Sequence, residues 1–314
     1  MSVHVAPVFM FGAERSGTTL LSMMVGAHPE IAVPLSPTGL WYRQFKSLPE
    51  SFSTAEGTER VVNELLAHER IKLWDQQLDK EALLQKIEPG DFGSLVAAFH
   101  SEYANQCSKP YWASMDIASI DNMHLANRWL PTARFIHLVR DGRDVALSHQ
   151  NYPYGFGNIV ECARAWSNQV TLNLRMGAMI DSDRYLVLRY EDLILDTEKT
   201  LSRLCHFIGV EFAPAMLSYA ASVERKVPKE KRTLWPALAE PPVTSKAGRW
   251  RAEMSRNQRI LFEQLGGDLL RELGYETFEK IPRSITALVL ELGYCLGQGH
   301  RLKRLRQRLG LQRG

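Results

Sequence analysis

Residues 8–25 read VFMF-GAERSGTT-LLSMMV, and this order of residue types decides the fold. The apolar run at 8–11 predicts a buried strand, and the run at 20–25 predicts a helix. Between them lies a turn in which two glycines permit a tight reversal. The N–H groups of such a turn and the dipole of the following helix favour a bound anion. Arg15 adds a guanidinium fork for phosphate or sulfate oxygens. The sequence therefore predicts a nucleotide-phosphate site at the first strand–helix junction.

Gly12 and Gly17 have the spacing of a P-loop, G-x-x-x-x-G-K-[ST], but Thr18 occupies the lysine position. In triphosphate enzymes that lysine reaches the β- and γ-phosphates. Its absence argues against triphosphate hydrolysis or transfer. A cation at Arg15 instead suits a smaller terminal group on a 5′-phosphate.

The run RSGTT at 15–19, followed by AHP at 27–29, resembles the sulfotransferase superfamily and looks most like its bacterial and tyrosylprotein branches. The resemblance implies an α/β, P-loop-like three-layer fold with a central, mainly parallel sheet flanked by helices. It also implies 3′-phosphoadenosine 5′-phosphosulfate (PAPS) as donor, 3′,5′-diphosphoadenosine (PAP) as product, and no metal. Arg15 is then catalytic, because it stabilises charge on the leaving 5′-phosphate. The implied ligands of the 5′-phosphosulfate are Arg15, Ser16, Gly17, Thr18 and Thr19.

A second motif begins with RFIHLV at 134–139, which predicts a buried strand, and continues into a turn and helix. In the superfamily, the arginine that ends this strand and a serine eight residues later bind the 3′-phosphate of the donor. Arg140 and Ser148 match both positions. Open α/β sheets bind ligands at the carboxyl ends of their strands, which agrees with this placement. The alternative is an exposed strand-end arginine and an ordinary helix serine.

Two later segments extend the resemblance. YLVLRYEDL at 185–193 predicts a strand and a turn, and Tyr190 resembles a residue near the adenine. A structural tyrosine is the alternative. KAGRW at 246–250 resembles a segment that folds over the donor, where either the lysine or the second cation is expected at the 3′-phosphate. The implied ligands there are Lys246, Gly248 and Arg249.

The base that takes the acceptor's proton is not marked by a motif. Tyrosylprotein relatives place a glutamate after the His-Pro, but Leu35 and Ser36 stand there. Asp116, after the strand predicted at 111–115, is our candidate, and His124 is the second choice. A helix cap and a surface group are their alternative roles.

Two other functions remain open. Met115 stands where many relatives carry a lysine, which favours a nucleotide-binding relative without transfer activity. A P-loop kinase or NTPase is the third hypothesis, and Thr18 argues against it.

Length and motif positions predict one α/β domain over 1–280. We expect a helical insertion at about 40–106 and a basic amphipathic helical tail at 281–314. The segment at 222–244 is interpreted as a lid, with a solvated surface loop as the alternative. Trp41, Tyr42, Trp112 and the lid are the candidate lining of an apolar acceptor pocket.

The composition indicates the cellular compartment and the kinds of binding partner. The four cysteines have no zinc or disulfide spacing, and no signal-peptide pattern opens the sequence, so we expect a cytoplasmic, bacterial enzyme. Residues 279–314 hold eight Lys and Arg against two Glu. This tail is interpreted as a peripheral membrane contact, with docking on the body or a partner as alternatives. Nucleic acid is not expected as a partner. The expected acceptor is a hydroxyl of a small molecule, glycan or lipid.

Overall fold

The computed structural model describes residues 6–35, 39–115, 123–150, 152, 155–220, 223 and 244–277. The chain divides into two compact units. The first, called the sheet unit below, consists of Met1–Gly12, Gly17–Leu138 and Met176–Val243. The second, called the helical unit, consists of Ala13–Ser16, Val139–Arg175 and Thr244–Gly314.

The sheet unit is built on β1 (Val8–Phe11), β2 (Ile31–Ala32), β3 (Tyr111–Ser114), β4 (Arg134–Val139) and β5 (Tyr185–Arg189). They form one five-stranded sheet in the order β2-β3-β1-β4-β5, and the last residue of β4 opens the helical unit. β1 runs parallel to both β3 and β4, and β2 runs parallel to β3. Parallel neighbours need crossover connections, and helices supply them here.

The α-helices of the described chain alternate with these strands. They are α1 (Thr18–Gly26), α2 (Leu40–Lys46), α3 (Ala55–Ala67), α4 (Lys80–Leu84), α5 (Phe92–Gln106), α6 (Met123–Trp129), α7 (Gly142–Gln150), α8 (Ile159–Gly177), α9 (Tyr190–Leu195), α10 (Thr197–Ile208), α11 (Trp250–Glu253) and α12 (Arg256–Glu272). Short 3-10 helices lie at Glu50–Ser53, Ile71–Leu73, Pro214–Ser218 and Thr244–Lys246.

Both faces of the sheet are covered, which explains why β1 and β4 are nearly continuous apolar runs. Phe9 and Phe11 share one face because side chains alternate along a strand. Phe9 stacks on Phe135 at a centroid distance of 5.9 Å, and Phe11 stacks on His137 at 5.1 Å. Side chains of α2–α5 pack over this face, and α1 packs on the strands as well. The predicted fold class is confirmed.

Residues 40–106 contain α2–α5 and two 3-10 helices, in the segment where we expected a helical insertion. Trp41 is only 2% exposed, and its Nε1 donates to Nε2 of His100 at 3.1 Å. His100 in turn stacks on Trp112 at 4.6 Å. The expectation that Trp41 lines an acceptor pocket is wrong, because this side chain belongs to the core.

Local chemistry sets several helix ends. The Asp91 carboxylate caps α5 by accepting from the amides of Gly93 and Ser94. Gly209 ends α10 with φ +92°, the left-handed conformation that glycine adopts readily at a helix end. The ammonium of Lys109 closes the end of α1 by donating to the carbonyl oxygens of Gly26, His28 and Ile31.

The helical unit has a buried ionic network at its centre. Arg143 is fully buried and donates through Nε and Nη2 to the Asp141 carboxylate at 3.0 and 2.8 Å. Its Nη1 donates to Glu263 on α12 at 2.7 Å, and its Cζ lies 3.4 Å from the Trp250 ring centroid. The network therefore holds α7, α11 and α12 together.

Some expectations fall outside the described residues. These include nearly all of the lid at 222–244 and the whole tail at 281–314. Within the described part of the chain, no helix is long and apolar enough to cross a membrane.

Candidate functional site

The loop after β1 needs its two glycines because other groups approach them closely. A Cβ atom on Gly12 would clash with the carbonyl oxygen of Leu138. Gly17 has φ +96°, and a Cβ there would lie 2.5 Å from the Tyr190 ring. The ring of Tyr190 therefore packs against the glycine that opens α1. This contact gives Tyr190 a structural role, and its place at the adenine stays a prediction.

The N-terminus of α1 is available for an anion. No side-chain hydrogen bond caps it among the described residues. The first amides of a helix have no acceptor within the helix, and the dipole gives this end a partial positive charge. Gly17, Thr18 and Thr19 carry such amides, which suit an anion, and their role as ligands stays a prediction.

Arg15 lies in the helical unit and reaches α7. It has a left-handed backbone, φ 67°, and its Nε donates to Ser148 Oγ at 3.1 Å. Its Cζ lies 4.4 Å from the centroid of the Tyr152 ring. No residue that the structure describes forms an ion pair with Arg15. Burial lowers the pKa of Arg15 and the charge of Arg140 lowers it further, whereas Tyr152 and the Glu14 carboxylate raise it.

Ser16 provides a test of whether the site fits a phosphate or sulfate group. Its side chain is 0% exposed, and its Oγ has no hydrogen-bond partner in the described part of the chain. A buried hydroxyl without a partner costs about 1–3 kcal/mol. A ligand oxygen at this hydroxyl would remove that cost, so the loop fits an oxyanion.

Arg140 follows β4 and ties three segments of the helical unit. Its Nη1 donates to the Arg15 carbonyl at 3.0 Å, and its Nη2 donates to the Lys246 carbonyl at 2.9 Å. Its own carbonyl accepts from Nε1 of Trp166 at 3.1 Å. The structure therefore brings together Arg15, Arg140, Ser148 and Lys246, four of the predicted ligands.

Asp144 positions the predicted KAGRW segment. Its two carboxylate oxygens accept from the Gly248 amide at 2.7 Å and the Trp250 amide at 2.9 Å. Gly248 has φ +72°. Burial raises the pKa of Asp144, although these two hydrogen bonds and Arg140 act in the opposite direction.

The two cations of this segment differ. Arg249 donates to both carboxylate oxygens of Glu253, at 2.7 and 2.6 Å, and this bond lowers the pKa of Glu253. The Lys246 ammonium has no hydrogen bond to a residue within the described ranges. Lys246 is therefore better suited than Arg249 to a phosphate, although both stay predictions.

The base remains unassigned by the structure. Asp116 lies outside the described residues, as does Ser36. His124 is exposed on α6. Met115 is 7% exposed and Leu35 is 5% exposed, so neither position supplies a polar group.

His28 of the Ala-His-Pro motif is structural. Its Nδ1 accepts from the Glu30 amide at 3.1 Å, so Nε2 carries the proton and donates to the Glu211 carbonyl at 2.8 Å. Both ring nitrogens are thus used within the sheet unit.

Sequence reasoning missed Tyr152, Asp144 and a cavity of about 160 Å³ in the helical unit. Asp144 had a signal, since it lies in the same RDGRD run as Arg140. No signal in the sequence marks the cavity, because its lining comes from three chain segments, including Glu14, His149 and Gln169.

A larger cavity of about 530 Å³ lies in the sheet unit at the amino-terminal ends of β1 and β3. No cluster of three or more His, Cys, Asp or Glu suited to a metal occurs among the residues described.

Comparison with known proteins gives one family. A model described as "Sulfotransferase family" matches residues 7–214. Protein-tyrosine sulfotransferase 2 of Gallus gallus is 23% identical over 217 residues, which cover 68% of this chain and 53% of that protein. Protein-tyrosine sulfotransferase 1 of Danio rerio is 24% identical, with 68% and 55% covered. The chain therefore spans about half the length of these curated relatives.

Two solved structures share the fold. The sulfotransferase domain of the Synechococcus PCC 7002 olefin synthase has a TM-score of 0.58 at 21% identity, covering 88% of this chain and 96% of that one. The sulfotransferase domain from the curacin biosynthetic pathway has a TM-score of 0.58 at 17% identity, covering 88% and 100%.

Proposed function

Since the chain belongs to the sulfotransferase family, we propose that it transfers the sulfuryl group of PAPS to a hydroxyl acceptor. One observation carries the proposal. Arg15, which has no ion pair among the described residues, donates to Ser148 and is held through its carbonyl by Arg140. A guanidinium that donates to a hydroxyl and forms no ion pair within the described ranges is suited to an anionic ligand.

The roles that we propose for these groups are those that the family resemblance implies. The amides of Gly17, Thr18 and Thr19, with Arg15, would hold the 5′-phosphosulfate. Arg140, Ser148 and Lys246 would hold the 3′-phosphate. When the donor is bound, it supplies an activated sulfuryl group on a phosphate leaving group. Fixed donors aimed at the leaving oxygen stabilise the charge that builds there.

A second candidate is a relative that binds the nucleotide without transferring sulfate. Met115 favours it, because this buried side chain occupies the position where many relatives carry a cation. Both candidates predict PAP binding, and only the first predicts sulfate transfer.

The test is calorimetric titration with PAP and, in parallel, with ATP and Mg²⁺. We expect metal-independent binding of PAP and weaker or no binding of ATP. Transfer is then measured with ³⁵S-labelled PAPS against hydroxyl compounds, including small molecules, glycans and lipids. If the protein binds ATP more tightly than PAP, the proposal is contradicted and the kinase or NTPase hypothesis is favoured.

We also propose a cytoplasmic setting in which the basic residues of 281–314 contact anionic lipid. Cosedimentation with phosphatidylglycerol vesicles tests this. Equal binding by the full chain and by a chain ending at residue 280 would contradict it.

A further inference from the structure

The cavity in the helical unit lies beside the loop that carries Arg15. It measures about 160 Å³. A cavity of roughly 150 Å³ lined by apolar side chains holds one benzene-sized ring. Three polar side chains lie on the wall, and the rest is apolar: Ala13, Val145, Phe156, Cys162, Ala165 and Trp166. Its size and lining therefore suit one apolar ring.

The polar part of the wall shows which group that ring carries. Glu14 is the acidic side chain of the lining, and His149 and Gln169 are the other two polar ones. Glu14 is exposed and forms no hydrogen bond or ion pair with the residues described. A carboxylate repels phosphate and sulfate but accepts a hydrogen bond from a neutral hydroxyl. The wall thus disfavours the donor nucleotide and favours a hydroxyl compound.

The cavity and the cation cluster use neighbouring residues of the same two segments. Glu14 precedes Arg15 in the loop, and His149 follows Ser148 on α7. Arg15 and Ser148 are hydrogen-bonded to each other at 3.1 Å. Arg15, which would hold the sulfuryl end of the donor, is therefore adjacent in the chain to the acidic residue of the cavity lining.

We propose that this cavity binds the acceptor's ring and that Glu14 accepts the proton of its hydroxyl group. The proposal rests on the function proposed above. The acceptor oxygen forms a bond to sulfur, and the bond from sulfur to the bridging 5′-phosphate oxygen breaks. The electron pair of that bond stays on PAP, and the hydroxyl proton goes to the Glu14 carboxylate. A sulfate ester, PAP and a protonated Glu14 result, and solvent then removes the proton.

The probe for this test is 4-methylphenol, a single apolar ring with one hydroxyl group. Three readouts are compared: PAP affinity by calorimetry, 4-methylphenol binding to the protein–PAP complex by saturation-transfer NMR, and transfer from ³⁵S-labelled PAPS. The variants are Glu14→Gln and Ala165→Leu, which fills the cavity. Asn168→Leu is the matched control, since Asn168 is exposed on the same helix and is not part of the lining.

Glu14→Gln is expected to keep PAP and 4-methylphenol binding and to slow transfer by about 10²-fold or more, the usual contribution of a general base. Ala165→Leu is expected to lose 4-methylphenol binding and to keep PAP affinity. Asn168→Leu is expected to match the unaltered protein in all three readouts.

Each part of the proposal has an outcome that overturns it. Unchanged transfer by Glu14→Gln removes the proton-accepting role. Unchanged 4-methylphenol binding by Ala165→Leu, or no binding by the unaltered protein, removes the cavity as the acceptor site. Absence of PAP binding is a different failure, because it overturns the proposed donor and not the cavity.

Discussion

Arg143 and Arg15 lie in the same helical unit, yet their partners differ. Arg143 is fully buried and is paired with the carboxylates of Asp141 and Glu263 at 2.8 and 2.7 Å. Arg15 is partly buried and donates to a hydroxyl, with no ion pair in the described chain. Desolvating a charge costs several kcal/mol, and a carboxylate partner offsets part of that cost. Arg143, with its two carboxylates, therefore supports the fold, whereas Arg15, which forms no ion pair with a described residue, is the arginine that we propose for the anion.

The largest effect that separates these roles is on stability. Arg143→Ala leaves Asp141 and Glu263 buried without their counter-ion, so we expect the free energy of unfolding to fall by about 3–5 kcal/mol. Urea denaturation measures this. Arg203→Ala, at an exposed position on α10, is the control and is expected to change stability by less than about 0.5 kcal/mol. Equal stability of the two variants would contradict the structural role of Arg143.

Acid provides a second way to place a positive charge in the interior of the protein. Burial lowers the pKa of His100 to about 3 and that of His137 to about 3, whereas an unfolded histidine titrates near 6.5. The neutral rings therefore stabilise the fold fully above about pH 6.5, and this contribution is lost as pH falls toward 3.

Between pH 7 and pH 5 we expect the free energy of unfolding to fall by on the order of 1–2 kcal/mol per histidine. Urea denaturation at several pH values measures the slope. His100→Phe also loses the hydrogen bond from Trp41, so its stability is lower at every pH, but its slope is expected to be shallower. A slope equal to that of the unaltered protein would show that His100 is not the titrating group.

A smaller effect is expected to distinguish Lys246 from Arg249, the two cations of the segment at 246–250. Lys246→Ala is expected to weaken PAP binding about tenfold, equivalent to about 1.4 kcal/mol. Arg249→Ala is expected to weaken it by less than about twofold, because Glu253 already occupies that guanidinium. Calorimetry measures both. A larger loss with Arg249→Ala would reverse the assignment of the 3′-phosphate ligand.

The smallest effect concerns Arg15 in the absence of ligand. Arg15→Ala removes a partly buried charge that forms no ion pair with a described residue, so we expect the free energy of unfolding to change by less than about 1 kcal/mol. Thermal melting without nucleotide measures it. A destabilisation as large as that of Arg143→Ala would mean that Arg15 also serves the fold.

The fold was predictable because its signals are local. Continuous apolar runs mark β1 and β4. Between β1 and α1, close contacts leave no room for a side chain at Gly12 or Gly17. The family's loop residues could likewise be named from one short motif. Trp41 was misjudged because what buries it is His100, 59 residues away.

The partners of the arginines were not predictable either, because they also lie far away in the chain. Arg140 and Arg143 stand three residues apart in one run and look alike in the sequence. The carboxylate of Glu263 that marks Arg143 as structural lies 120 residues further along the chain. Both arginines donate hydrogen bonds to distant segments, Arg140 to carbonyl oxygens and Arg143 to a carboxylate, and no local signal in the run predicts this difference.

The measurement that tests the central claim most directly is calorimetric titration of PAP into Arg15→Ala and Arg203→Ala side by side. We expect Arg203→Ala to bind as the unaltered protein does and Arg15→Ala to bind about 100-fold more weakly, equivalent to about 2.7 kcal/mol. Equal affinity of both variants for PAP would show that Arg15 does not hold the donor, and the loop would then lose its assignment as the phosphosulfate site.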